Sequence, residues 1–190
     1  MIDNWMAKRK DVTKEQIIEA TASLVSAKGC NGFSTRQLAD EVGISSASLH
    51  HHFTTKGDLI AAVAAACRDR VNERLAVIAA EVEGFALRVQ HFRESVQPEA
   101  MLLAMSAADF PTLPVVAQNE VRQLFSNVLG WLGRFATQGR ADGDLSEESV
   151  AESVASQILG EVLGAAMLQR VALPGALTVP PMTWGWQRPS

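Results

Sequence analysis

Between Phe33 and Leu59 the chain reads FSTRQLADEVGISSASLHHHFTTKGDL, with three helix starts so close together that the first two helices cannot stand alone. Ser34 and Gln37 make a capping box: the serine hydroxyl accepts from the N–H three residues on, and the glutamine side chain reaches back to the cap. Phe33 and Leu38 bracket that cap as a hydrophobic staple, and Leu38, Ala39 and Val42 give the helix one apolar face. Gly43 suits the left-handed residue that ends such a helix, where a side chain would meet a steric penalty. Ile44 follows and is expected to be buried. Ser45 then opens a second helix that carries Leu49 and Phe53 inward at i and i+4. Thr55 with Asp58 is a third cap and sets Lys56 in the first turn of the next helix. Isolated helices this short are marginal in water, so they must pack on a further element.

The other face of the second helix is Ser46, Ala47, Ser48, His50, His51 and His52, small, polar and free of acid. Such a face suits a helix lying in a major groove against phosphates and base edges. A cation in a first turn opposes the helix dipole, a cost that is offset if Lys56 and the free N–H groups beside it meet a phosphate. Thr35, Arg36, Ser45 and Lys56 are therefore the expected phosphate contacts, and Ser46, Ser48, His50 and His51 the expected groove-facing set.

Residues 13–60 resemble the DNA-binding domain of the TetR/AcrR family of bacterial repressors. The resemblance rests on Thr35, Leu38-Ala39, Gly43-Ile44-Ser45, Leu49-His50-His51-His52-Phe53, and Lys56 with Leu59. It implies a three-helix helix-turn-helix head followed by a larger helical ligand-binding and dimerisation domain. It further implies a homodimer that represses from a palindromic operator on double-stranded DNA and is released by a small-molecule effector. His50 stands where the family usually has a tyrosine that reaches a phosphate, the chain has no tyrosine, and Ala47 replaces a common glycine. A protonated imidazole donates better to phosphate, so operator binding is expected to weaken as pH rises past about 6.5.

The whole chain carries a net charge of −4, which argues against a nonspecific nucleic-acid coat. Residues 1–60 balance their cations and anions, so the acid excess falls beyond them. Lys8, Arg9 and Lys10 precede the first capped helix and read as a basic arm over 1–12, suited to a neighbouring minor groove or to solvent. No apolar run follows them as a signal peptide would require, and no segment approaches the roughly 20 apolar residues of a membrane span. A soluble, cytoplasmic protein is expected, without membrane contact. Cys30 and Cys67 are too few for a disulfide framework and have no metal-ligand spacing. They read as buried thiols, with a redox or electrophile sensor at Cys30 as the alternative.

No strand-like alternation of useful length appears, so the fold class is all-α, with about nine helices. Thr13, with Gln16, opens a helix that turns Ile17, Thr21, Leu24 and Val25 inward and stops at Gly29. From Thr55 one unbroken pattern runs to Val82. Gly84 interrupts it, a helix from Phe85 is expected to end before Pro98, and another to run from Glu99 to Phe110. Pro111 and Pro114 break the chain before a helix from about Val115 to Gln138, and Ser146 is expected to cap a last one reaching Val171. The expected domains are the head at 1–60, a helical domain at 61–171, and a tail at 172–190 that Pro174, Pro180, Pro181 and Pro189 keep from being helical and that is taken as mobile.

The helices near 115–138 and 146–171 are the expected homodimer surface, because Gly130, Gly133, Gly160 and Gly164 let another helix approach closely and two such hairpins make a four-helix bundle. Met101, Met105, Phe110, Phe125, Trp131 and Met167 are the adaptable or aromatic residues that would line an apolar effector pocket, although each also suits an ordinary core. A DNA-binding regulator with no effector is the main alternative. An enzyme is not expected: adjacent histidines on a helix diverge by about 100°, so the His50–His52 run does not chelate an ion, and no nucleophile elbow or phosphate-cradling loop appears. Neither a metal nor a cofactor is expected.

Overall fold

The structure, a computed structural model, describes residues 12–171. The Lys8–Lys10 arm and the 172–190 tail lie outside the described residues. Within them the chain is all-α, with no strand: α1 (Lys14–Lys28), α2 (Thr35–Val42), α3 (Ser46–His52), α4 (Lys56–Glu81), α5 (Phe85–Asp109), a 3-10 turn (Phe110–Thr112), α6 (Val115–Ala141) and α7 (Ala151–Val171). No described helix is long and apolar enough to cross a membrane.

Two of the expected boundaries are corrected. The stretch expected to split at Pro98 is one helix, α5, with the proline inside it, and the described α-helices number seven where about nine helices were expected. An interior proline costs about 3 kcal/mol through its lost N–H and ring clash. Against that, Val89, Phe92, Val96, Ala100 and Leu103 form one buried stripe running straight past it, and each large apolar side chain fully buried contributes about 1.5–3 kcal/mol. Pro98 itself faces solvent. The last helix starts at Ala151, not after Ser146. The Ser146 hydroxyl accepts from the nearby Glu148 N–H at 3.3 Å, and its carbonyl accepts from the Ser149 N–H, so that serine closes a turn instead of opening a helix.

The described chain divides into two compact units. The first holds residues up to Ala66 together with Met105–Val121, and the second holds Cys67–Ala104 with the chain from Arg122 onward. In the first, Ile17, Val25, Leu38, Leu49, Leu59 and Val63 are buried, as the periodicity of α1 and the staples of α2 and α3 require. Ile44, expected to be buried, is half-buried.

The second unit encloses Phe92, which stacks on Trp131 at 5.9 Å between ring centroids, and Trp131 meets Phe135 at 4.1 Å. A buried carboxylate lies in the same unit. Glu99 is 5% exposed and accepts from Arg70 Nε at 3.2 Å and from Arg74, whose guanidinium also donates to the Ser95 carbonyl at 2.8 Å. A buried acid is tolerable only when paired and hydrogen-bonded in this way, and the bond to Glu99 in turn raises the Arg74 pKa. On α7, Ala151, Val154, Ala155, Ile158, Leu159 and Val162 are buried along one stripe. Gly160 and Gly164 have open space beside them, and Leu168 is 51% exposed.

Candidate nucleic-acid interface

The α2–α3 region is assembled from local bonds. Ser34 Oγ accepts from the Gln37 N–H at 3.1 Å, while Gln37 Oε1 accepts from the Ser34 N–H at 2.8 Å, which completes the capping box. This leaves Thr35 and Arg36 exposed in the first turn of α2, where no acid competes for an anion. Gly43 ends the helix at φ +76°, in the left-handed region, and the Ile44 N–H returns to the Ala39 carbonyl at 3.0 Å. Ser45 Oγ then accepts from the Ser48 N–H at 3.1 Å and opens α3.

Leu49 and Phe53 turn α3 inward. Ser46, Ala47, Ser48, His50 and His51 are exposed on it, so the structure brings the expected groove-facing set together on one short helix. His52 is half-buried with its ring 6.0 Å from that of His51, and stands apart from that set. Among the described residues no group of three or more His, Cys, Asp or Glu is arranged to hold a metal ion.

Lys56 is placed differently from the other expected contacts. Thr55 and Asp58 form their box, with the Asp58 N–H on Thr55 Oγ1 at 3.1 Å and the Thr55 N–H on Asp58 Oδ2 at 3.0 Å. The Lys56 side chain is half-buried; its ammonium donates to the Phe33 carbonyl and lies 4.3 Å from the Phe33 ring centroid. Partial burial is the chief reason its pKa is lowered. The ammonium is thereby drawn to the residue immediately before the α2 cap. Lys14, not among the expected contacts, is exposed in the first turn of α1 with its ammonium 5.3 Å from the Phe53 ring; its place directly after the Thr13 cap was the available signal.

The expected effector residues fall in both units. Met105 and Phe110 belong to the first and are half-buried. In the second, Met101 and Phe125 are half-buried, Trp131 is buried, and Met167 is 38% exposed. The indole N–H of Trp131 is buried with no hydrogen-bond partner among the described residues. Glu161 pairs with Arg93 at 2.6 Å. Both cysteines are buried, and burial pushes the Cys30 thiol up to about 11, with Asp109 adding to the shift.

Two capped helices around a left-handed glycine, with a polar face outward, are the arrangement of a helix-turn-helix unit. A family model described as "Bacterial regulatory proteins, tetR family" matches residues 17–63. Over 66 residues the chain is 35% identical to the HTH-type transcriptional regulator PksA of Bacillus subtilis (strain 168), a match covering 35% of this chain and 32% of that protein. Two solved structures match over most of both chains. A TetR-family transcriptional regulator from Agrobacterium tumefaciens has a TM-score of 0.76 at 25% identity, covering 83% of this chain and 86% of that one. A TetR transcriptional regulator from Legionella pneumophila has a TM-score of 0.75 at 29% identity, covering 85% and 88%. Residues 17–63 thus match the TetR-family model, and the chain is similar over most of its length to solved TetR-family regulators.

Proposed function

We propose that this protein is a homodimeric, cytoplasmic transcriptional repressor that binds a palindromic operator through α2 and α3 and leaves it when an apolar or aromatic small molecule binds the helical domain. The observation that carries the reading is the exposed, acid-free face of α3, presented by three consecutive caps and a left-handed glycine. Thr35, Arg36, Ser45 and Lys56 take phosphates, and Ser46, Ser48, His50 and His51 face base edges. Lys56 does so with the ammonium hydrogens not given to Phe33. The head is residues 1–60 with its arm at 1–12, the helical domain is 61–171, and the tail is 172–190.

Dimerisation through α6 and α7 is supported by open space beside Gly133, Gly160 and Gly164 and by exposed Leu168. Operator binding requires the two heads about 34–36 Å apart, one turn of DNA, so a modest shift of α4 is enough to release them. Trp131 is the proposed effector contact, and its unpaired indole N–H favours an effector carrying a hydrogen-bond acceptor. Burial and the raised Cys30 pKa count against a thiol sensor.

Selection of bound duplexes from a random-sequence pool, with sedimentation at micromolar concentration, tests the reading. A palindromic consensus bound by a dimer supports it, and recovery of no consensus, or a monomer, overturns it.

A further inference from the structure

The turn between α1 and α2 is held from outside the three head helices. Asp109, the last residue of α5, accepts the Cys30 N–H on Oδ2 at 2.6 Å. Asn31 Nδ2 donates to Thr112 Oγ1 at 2.8 Å, and that hydroxyl donates in turn to the Asp109 carbonyl at 2.7 Å. The approach is close. Gly29 sits at φ +83°, and a Cβ there would lie 2.7 Å from Asp109 Oδ2 and 3.1 Å from Met105 Cε. On the far side of the same turn the Phe33 carbonyl accepts from the Lys56 ammonium. Phe33 is followed directly by Ser34, whose hydroxyl opens α2. All of these residues belong to the first compact unit.

An eight-residue helix does not fix its own direction; its start does. We infer that Asp109 is a positioning residue for DNA reading, because its carboxylate pins the α1–α2 turn and thereby sets the direction in which α2, and α3 after it, leave that turn. The inference rests on the DNA-binding reading above. It adds a second route of control to the shift of α4, since displacement of the end of α5 is passed to the turn through one carboxylate.

The test compares the full-length protein with Asp109→Ala, Asp109→Asn and Thr112→Val on the selected operator and on a random-sequence duplex of equal length. A charge-assisted bond of this kind is worth enough that Asp109→Ala should weaken operator binding about tenfold while random-duplex binding changes less than about twofold. Asp109→Asn keeps an acceptor for the Cys30 N–H and should recover most of the loss. In amide hydrogen exchange, Asp109→Ala should accelerate Cys30 and, past it, Gln37 and Leu38, and leave α7 unchanged.

Equal losses on both duplexes, or no recovery in Asp109→Asn, would mean a structural role only and overturn the inference, as would unchanged binding. If Asp109→Ala does not fold, Thr112→Val decides: a several-fold fall in the operator-to-random ratio sustains the inference and an unchanged ratio defeats it. If the wild-type protein prefers no sequence, the DNA-binding reading fails by itself. Exchange then still decides on Asp109, because acceleration confined to Cys30 defeats the positioning role and acceleration reaching α2 sustains it.

Discussion

The α2–α3 region and the Glu99 cluster are held by opposite kinds of bond. Each cap of the reading region joins residues three apart, from Ser34 to Gln37, Ser45 to Ser48 and Thr55 to Asp58. Glu99 is held by Arg70 and Arg74, which reach it across from α4. A cap replaces water on an exposed backbone group, so its loss costs little and is felt locally. The Glu99 carboxylate has been taken out of water, so loss of either side strands a charge. The α2–α3 region is thus built from weak local ties and short helices, and the second unit contains a bond whose failure spreads.

The largest effect follows from that contrast. Glu99→Ala leaves two guanidinium groups without their carboxylate, a change that costs about 3–5 kcal/mol for fully buried pairs. The arginine side chains are 31% and 33% exposed and can rehydrate, so a loss of about 2–3 kcal/mol in denaturant unfolding is expected. A loss below about 1 kcal/mol would show that the cluster is no stronger than a surface pair and would erase the distinction.

Cys30 sharpens the comparison, since it lies in the local turn but is buried as deeply as Glu99. Its thiol is raised to about 11 from an ordinary 9.0. The native state therefore keeps a proton that the unfolded chain gives up between those values. The stabilisation is complete below pH 9.0 and is lost as pH climbs through about 11. Against Cys30→Ala, the wild-type protein should lose up to about 2 kcal/mol more over that window. Parallel pH profiles of the two proteins would show that the thiol ionises unhindered and that the turn is looser than its burial indicates.

The same physics separates what the sequence disclosed from what it did not. The four caps at Thr13, Ser34, Ser45 and Thr55 were legible because a hydroxyl and an amide three residues apart interact in any helix start, whatever surrounds them. Pro98 misled because its cost is local and visible while the buried stripe that outweighs it depends on partners from other helices. Ser146 misled because the residue at its third position is Ser149, not a glutamate or glutamine, and a turn competes on equal terms. Within the candidate site, the exposed set on α3 followed from helical phase alone. The tie of Lys56 to Phe33 and of Asp109 to Cys30 did not, for these bonds link residues 23 and 79 positions apart. A cation in a first turn looks the same in sequence whether it awaits a phosphate or is drawn back to a carbonyl.

The smallest effect on stability is expected at Ser34, and there the contrast is most exposed to test. Replacing a capping serine by alanine costs about 1 kcal/mol. Ser34 faces solvent, so the Gln37 N–H it releases can turn to water and nothing charged is left buried. Ser34→Ala should therefore shift the unfolding midpoint slightly and speed amide exchange in α2 while α6 and α7 keep their protection, and Ser34→Asp, which supplies another capping oxygen at a helix N-terminus, should restore both. DNA binding should suffer more than stability does, because the first turn of α2 carries Thr35 and Arg36. If Ser34→Ala instead destabilises as much as Glu99→Ala, or if α7 loses protection with α2, then the caps are not local ties. The two regions would then unfold as one, and the reading helices would owe their geometry to the whole chain instead of to the residues that start them.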